Sequence, residues 1–146
     1  MRLESMGRIR QLEAWYRRVY IDGDMDAVGD LFTENMQEQG LMPGMQVNPA
    51  ELQVFATALV HLVEDPSIRI VKAIESDDWL CALIETGGTR PDDGRPVRAM
   101  GQLMARFEGD RIAEAYNSFD FIHLFEQLGL LPEDSVAIGM SGQKIG

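Results

Sequence analysis

Apolar residues near the start of the chain recur at three- and four-residue spacing. Over residues 8–21, Ile9, Leu12, Trp15, Tyr16, Val19 and Tyr20 fall on one face, with Arg10, Glu13, Arg17 and Arg18 largely opposite, which predicts an amphipathic helix. Asp22-Gly23-Asp24 breaks it, and Asp24 is placed to cap a second short helix over residues 25–32 that buries Ala27, Val28 and Leu31. The polar alternation of residues 33–40 suits a strand, and a loop containing Met, Pro and Gly follows over residues 41–47. Asn48 then caps a third helix with Pro49 in its first turn. Leu52, Phe55, Leu59, Leu62 and Val63 form its apolar stripe, and Asp65-Pro66 ends it.

Beyond Pro66 the period changes from helical to alternating. Residues 68–74, 79–86, 97–107 and 112–121 read as four strands, separated by turns at Asp77-Asp78, residues 90–94 and Glu108-Gly109-Asp110. Gly87-Gly88 reads as an isolated pair in a hairpin, with no helix behind it to receive a phosphate. A short helix is expected over residues 121–128. Helices first and an antiparallel run afterwards give an α+β order. Such a sheet has to curl around the first and third helices to bury both stripes, which leaves a cavity against its concave face. One domain over residues 1–132 and a loose tail over residues 133–146 account for the chain.

Composition narrows the partners. Thirteen basic against 24 acidic residues give a formal charge of −11, a field that repels phosphate backbones and anionic lipid, so neither nucleic acid nor a membrane surface is an expected partner. No apolar run approaches the ~18 residues of a membrane span, and the polar start MRLESMGRIR points to the cytoplasm. Cys81 is the single cysteine, so no intramolecular disulfide forms. The two histidines, His61 and His123, have no companion ligands at metal-binding spacing, and no phosphate loop or nucleophile elbow is present. Neither a metal nor any other cofactor is therefore expected.

The stretch GRPVRAMGQLMARFEGDRIAEAYNSFDFIHLFEQLGLLP, residues 94–132, resembles the C-terminal half of the SnoaL-like polyketide cyclases. Trp15 and Tyr16, the segment GDMDA at residues 23–27, and Leu31-Phe32 extend the likeness back to Arg8. The resemblance implies a nuclear transport factor 2-like (cystatin-like) cone, with a curved antiparallel sheet wrapped around N-terminal helices and a central pocket. It also implies a homodimer formed through the outer sheet face. Ring cyclases, ketosteroid isomerases, epoxide hydrolases and proteins without chemistry share this shape, so the activity is decided by the site.

In the cyclases an aspartate late on the final strand moves the proton, and the matching position is Asp120; Tyr16 matches a tyrosine placed against the substrate. Gln39 and Leu103 stand where family members often carry a histidine and a polar residue, so an enolate donor would be Tyr16, Tyr116, Asn117 or a bound water. Strand parity leaves two arrangements. If Glu114, Tyr116, Ser118 and Asp120 face the cavity, Asp120 and Tyr116 form a base and donor pair. If Asn117 and Phe119 do, Asn117 is the polar group and Asp120 caps the helix after it. Trp15, Phe55, Leu59 and Leu103 are the expected apolar wall, and His123 a residue near the mouth.

The expected activity is cofactor-free acid/base proton transfer on a small hydrophobic carbonyl compound, as a cyclase or isomerase. A binding protein built on the same cavity is the first alternative. An epoxide hydrolase-like enzyme is the second, which needs two inward carboxylates, Asp120 with Glu38 or Glu85.

Overall fold

The computed structural model describes residues 3–42 and 44–145, so Met1, Arg2, Pro43 of the expected loop and Gly146 of the expected tail lie outside the described residues. Helix α1, Leu3–Tyr16, runs without a break into a π-helical turn, Arg17–Ile21, closed by the Asp22 N–H donating to the Arg17 carbonyl at 2.8 Å. A 3-10 helix, Met25–Leu31, follows and buries Ala27, Val28 and Leu31 as the pattern predicts. Asp24 precedes it but makes no capping bond. Its carboxylate accepts instead from Arg18 Nη2 at 2.9 Å, because a charged partner competes successfully for the same oxygen.

Strands β1, Phe32–Gln39, and β2, Gln46–Val47, lead into α2, Pro49–Val60. The start of α2 is a full capping box: Asn48 Oδ1 accepts from the Glu51 N–H at 2.9 Å, and Glu51 Oε1 accepts from the Asn48 N–H at 3.0 Å. Then come β3, Glu64–Ser76; β4, Trp79–Thr89; β5, Pro96–Glu108; and β6, Arg111–Phe119. Helix α2 stops earlier than the Asp65-Pro66 signal suggests, and β3 passes through Pro66. The proline is tolerated because β3 is an edge strand whose register slips between Glu64 and Ser67, where no ladder donor is missed. Gly87-Gly88 lies in the β4 arm of the β4–β5 hairpin, opposite Arg98 and Val97. A Cβ on Gly88 would meet Val63 at 2.8 Å, so the missing side chain lets the exit of α2 approach the sheet.

The six strands order as β2-β1-β6-β5-β4-β3. Strands β3 to β6 form the expected antiparallel meander, whereas β1 joins parallel to β6, with Glu38 opposite Ala115 and Gln39 opposite Tyr116. Parallel pairing follows from connectivity, since β1 reaches β6 only after α2 and the whole meander have intervened. The concave face carries Leu80, Ala82, Ile84, Leu103, Ala105 and Phe107, packed with Leu12, Trp15 and Val19 of the first helix and Leu52 and Ala56 of α2. Ile74, Met100, Met104 and Tyr116 are exposed. No described helix is long and apolar enough to cross a membrane.

Past β6, α3, Phe121–Gln127, packs Leu124 on Val97 and Ala99 of β5. Where a loose tail was expected, the chain forms a further short helix, α4, Ser135–Met140. Its first residue is buried, and the Ser135 hydroxyl donates to the Pro132 carbonyl at 2.7 Å.

One glycine fixes how closely β1 and β6 meet. Gly40 has φ +100°, and a Cβ there would lie 2.0 Å from the Asn117 carbonyl oxygen, which is backbone and cannot yield. Gly40→Ala should therefore lower stability by at least ~1–3 kcal/mol, measured by urea unfolding, because strain and overlap add.

Candidate functional site

The first helix and its π-turn, β1, α2 and the concave face enclose an apolar chamber of about 140 Å³. A cavity near that size admits a benzene-sized molecule, so the chamber holds at least an aromatic ring. Trp15, Tyr16, Phe55, Leu59 and Leu103 line it as expected, together with Phe32, Phe119 and Phe121. Aromatic edges organise this wall: Phe121 meets Phe55 across α2 and α3 at 5.8 Å, and Trp15 meets Phe32 at 5.5 Å. The Trp15 indole donates to the Val28 carbonyl at 3.0 Å, which satisfies its one polar atom.

Within this lining lies one carboxylate, Glu38, only 1% exposed. Strand parity puts it there, since Met36 and Glu38 both turn to the core while Gln37 turns out. Its Oε2 accepts from the Asn117 Nδ2 at 3.0 Å and from the Leu41 N–H at 3.2 Å, the latter across the turn that Gly40 makes. Its Oε1 is buried and has no partner among the described residues. Burial pushes the Glu38 pKa up; the two hydrogen bonds oppose the shift without cancelling it. Tyr16 and Tyr20 line the same chamber, and burial pushes both phenols above their ordinary value, so each stays a protonated donor.

A family model for the SnoaL-like domain matches residues 12–115. The chain belongs to the SnoaL-like family. The matched span contains the end of the first helix with its π-turn, Glu38, α2 and most of the sheet, and it ends before Asn117 and Asp120.

Solved structures agree on the fold. The chain is 17% identical to IdmH from Streptomyces antibioticus, named as a candidate polyketide cyclase, with a TM-score of 0.69 over 84% of this chain and 99% of that one. It is 14% identical to AclR from Streptomyces galilaeus, named as a candidate hydroxylase, at 0.71 over 87% and 99%. A protein of ketosteroid isomerase-like fold from Catenulispora acidiphila DSM 44928, solved with trimethylamine, is 15% identical at 0.66 over 80% and 90%. No curated protein sequence matches the chain.

On this SnoaL-like frame the second parity of β6 holds. Ala115, Asn117 and Phe119 line the chamber, while Tyr116 and Asp120 are exposed. The Tyr116 hydroxyl donates to Glu114, which also accepts from Arg106 Nε at 2.9 Å, so Tyr116 belongs to a surface network and not to the chamber. Asp120 is the N-cap of α3: its Oδ1 accepts from the His123 N–H at 3.0 Å. His123 is exposed and outside the chamber, its ring facing Glu126 at 3.6 Å. Neither Asp120 nor His123 lines the chamber; the bulge in the pairing of β5 and β6 between Arg106 and Phe107 sets which residues of β6 turn inward.

Glu85 turns to the outer face, where Arg69 Nε donates to it at 2.8 Å. The carboxylate pair an epoxide hydrolase-like enzyme needs is therefore not assembled among the described residues. Glu38 enters the sequence reading only as half of that pair. The signal that isolates it is its even spacing from Phe32 and Met36, and sequence alone does not say which parity faces inward.

Two measurements test this assignment. Asp120→Ala should cost ~1 kcal/mol in urea unfolding while Asp120→Asn, which still caps, costs little, and neither should change ligand binding in the chamber. The second concerns pH. Because the folded pKa of Glu38 is raised, the folded state keeps a proton that the unfolded state releases from about pH 4.3 upward, and wild-type stability falls as pH rises through that window. Glu38→Gln has no such equilibrium, so its stability relative to wild type should rise with pH, and a difference that stays constant would contradict the assignment.

Proposed function

We propose that the protein catalyses proton transfer at the carbon beside a carbonyl group of a hydrophobic substrate, in the service of isomerisation or ring closure, with Glu38 carrying the proton. The carrying observation is the burial of Glu38 in an aromatic chamber, with one oxygen held by Asn117 and Leu41 and the other unpartnered. A carboxyl whose pKa is raised by burial is a stronger base than an exposed one, which suits it to take a proton from an activated carbon and return it.

The steps require little else. Glu38 removes the α-proton, the electron pair moves onto the carbonyl oxygen, and the Tyr16 hydroxyl donates to the oxyanion that forms. Glu38 then returns the proton to the isomerised carbon or, in ring closure, to the alkoxide that forms when the enolate carbon attacks a second carbonyl of the same molecule and the π pair of that carbonyl moves onto its oxygen. The apolar wall strengthens each hydrogen bond by excluding water. Membership of the SnoaL-like family and the fold shared with a candidate polyketide cyclase and a ketosteroid isomerase-like protein favour this class of chemistry.

Exchange of the α-protons of 1-tetralone in D2O, followed by proton NMR, tests the proposal without knowledge of the natural substrate. Wild-type protein should accelerate exchange, and Glu38→Gln should reduce that acceleration by roughly 10²–10⁴-fold, whereas Asp120→Asn should leave it unchanged. Equal exchange in wild type and Glu38→Gln would overturn the role of Glu38. Binding of the ketone without any acceleration would identify the protein as a binding module.

A further inference from the structure

The π-helical turn at the end of the first helix is not needed to reverse the chain, which Asp22-Gly23 does on its own. Its effect is on side-chain direction. In an uninterrupted α-helix, positions 12, 16 and 20 drift around the axis by about 40° a step, which would put residue 20 at the edge of the face that Leu12 and Tyr16 share. The extra residue in the turn Arg17–Ile21 takes up that drift, and Tyr20 lines the chamber with Leu12, Tyr16 and Glu38. The Tyr16 and Tyr20 rings lie 6.1 Å apart, tilted by 47°, and both pack on Trp15, at 5.5 and 5.8 Å. Neither hydroxyl is hydrogen-bonded to a described residue, while the indole of Trp15 beside them is satisfied. Two phenol donors without partners therefore share one chamber with one carboxyl. A phenol O–H in the lining is a donor that the oxygen of a bound molecule can engage.

We propose that Tyr20 is a second hydroxyl donor to the ligand oxygen, set beside Tyr16 by the π-turn, so that the chamber selects compounds whose carbonyl or enol oxygen accepts two hydrogen bonds. This rests on the reading of the chamber as a carbonyl site. Both lone pairs of a ketone oxygen are then engaged, one by each phenol, while Glu38 addresses the neighbouring carbon. An ether, which offers a weaker acceptor, or a hydrocarbon of equal size would leave at least one phenol poorly satisfied, and selectivity against it follows. Burial and the nearby Glu38 charge keep Tyr20 protonated, which is the state a donor needs.

The test uses 1-tetralone carrying ¹³C at the carbonyl, bound to the full-length protein and read by infrared difference spectroscopy. Each hydrogen bond lowers the carbonyl stretching frequency, so Tyr20→Phe and Tyr16→Phe should each move the band part of the way toward its value in an aprotic solvent, and the double variant further. Affinity should fall about fivefold for each single change. A band and affinity unmoved by Tyr20→Phe overturn the proposal. In case the variant folds poorly, 3-fluorotyrosine at position 20 supplies a second readout: its fluorine resonance should respond saturably to the ketone, and no response also overturns the proposal. Glu38→Gln separates the two readings. If it leaves both α-proton exchange and the tyrosine-dependent band shift intact, the proton-transfer role of Glu38 fails while the two-donor site stands.

Discussion

The contact between the Asn117 amide and Glu38 is the point at which the fold becomes a site. An ionisable group in an apolar chamber is tolerated only when hydrogen bonds compensate part of its lost hydration. Here two donors converge on one oxygen, from β6 and from the turn after β1. Both depend on how closely the end of β1 approaches β6, and Gly40 sets that approach by offering no side chain against the Asn117 carbonyl. Backbone conformation, strand pairing and the protonation state of one carboxyl are thus a single linked arrangement. The compensation is incomplete, because the second oxygen has no partner among the described residues.

Most of the fold is legible in the sequence because it rests on periodicity and on local chemistry. The stripe from Leu12 to Tyr20, the Asn48-Pro49 helix start and the alternation through β4 and β5 each have a short-range physical cause, and each element forms close to where its pattern lies. The differences arise where tertiary context decides. Pro66 reads as a boundary, but on an edge strand with a slipped register it is compatible with the sheet. Asp24 reads as a cap until Arg18 folds back to take its carboxylate. The parallel pairing of β1 with β6 joins segments about 80 residues apart and has no local signature at all.

The site is less legible than the fold for a reason specific to strands. On β6 the inward and outward sets differ by a single residue, and both contain a polar group that could serve, Asn117 on one and Asp120 on the other. The bulge between Arg106 and Phe107 sets the parity, and nothing in the composition of the strand announces it. Once the parity is fixed, Asp120 has the ordinary role of a residue that directly precedes a helix: it accepts from the His123 N–H and does not line the chamber. The apolar wall was readable because Trp15, Phe55, Leu59 and Leu103 belong to stripes that face inward in any packing of these elements. Tyr16, on the helix stripe, is readable in the same way, whereas Glu38 and Asn117 each depend on one residue of strand register.

A chamber of this kind separates shape from chemistry. Its volume and aromatic lining come from helix stripes and alternating strands, features shared by many sequences with the same fold. Its reactivity comes from whichever carboxyl a strand turns inward, and several strands end near the same space. In this chain the inward carboxyl lies on β1, beside the two tyrosines of the first helix, and the end of β6 supplies only the amide that holds it. The position of Glu38 therefore constrains the chemistry more tightly than the outline of the chamber does.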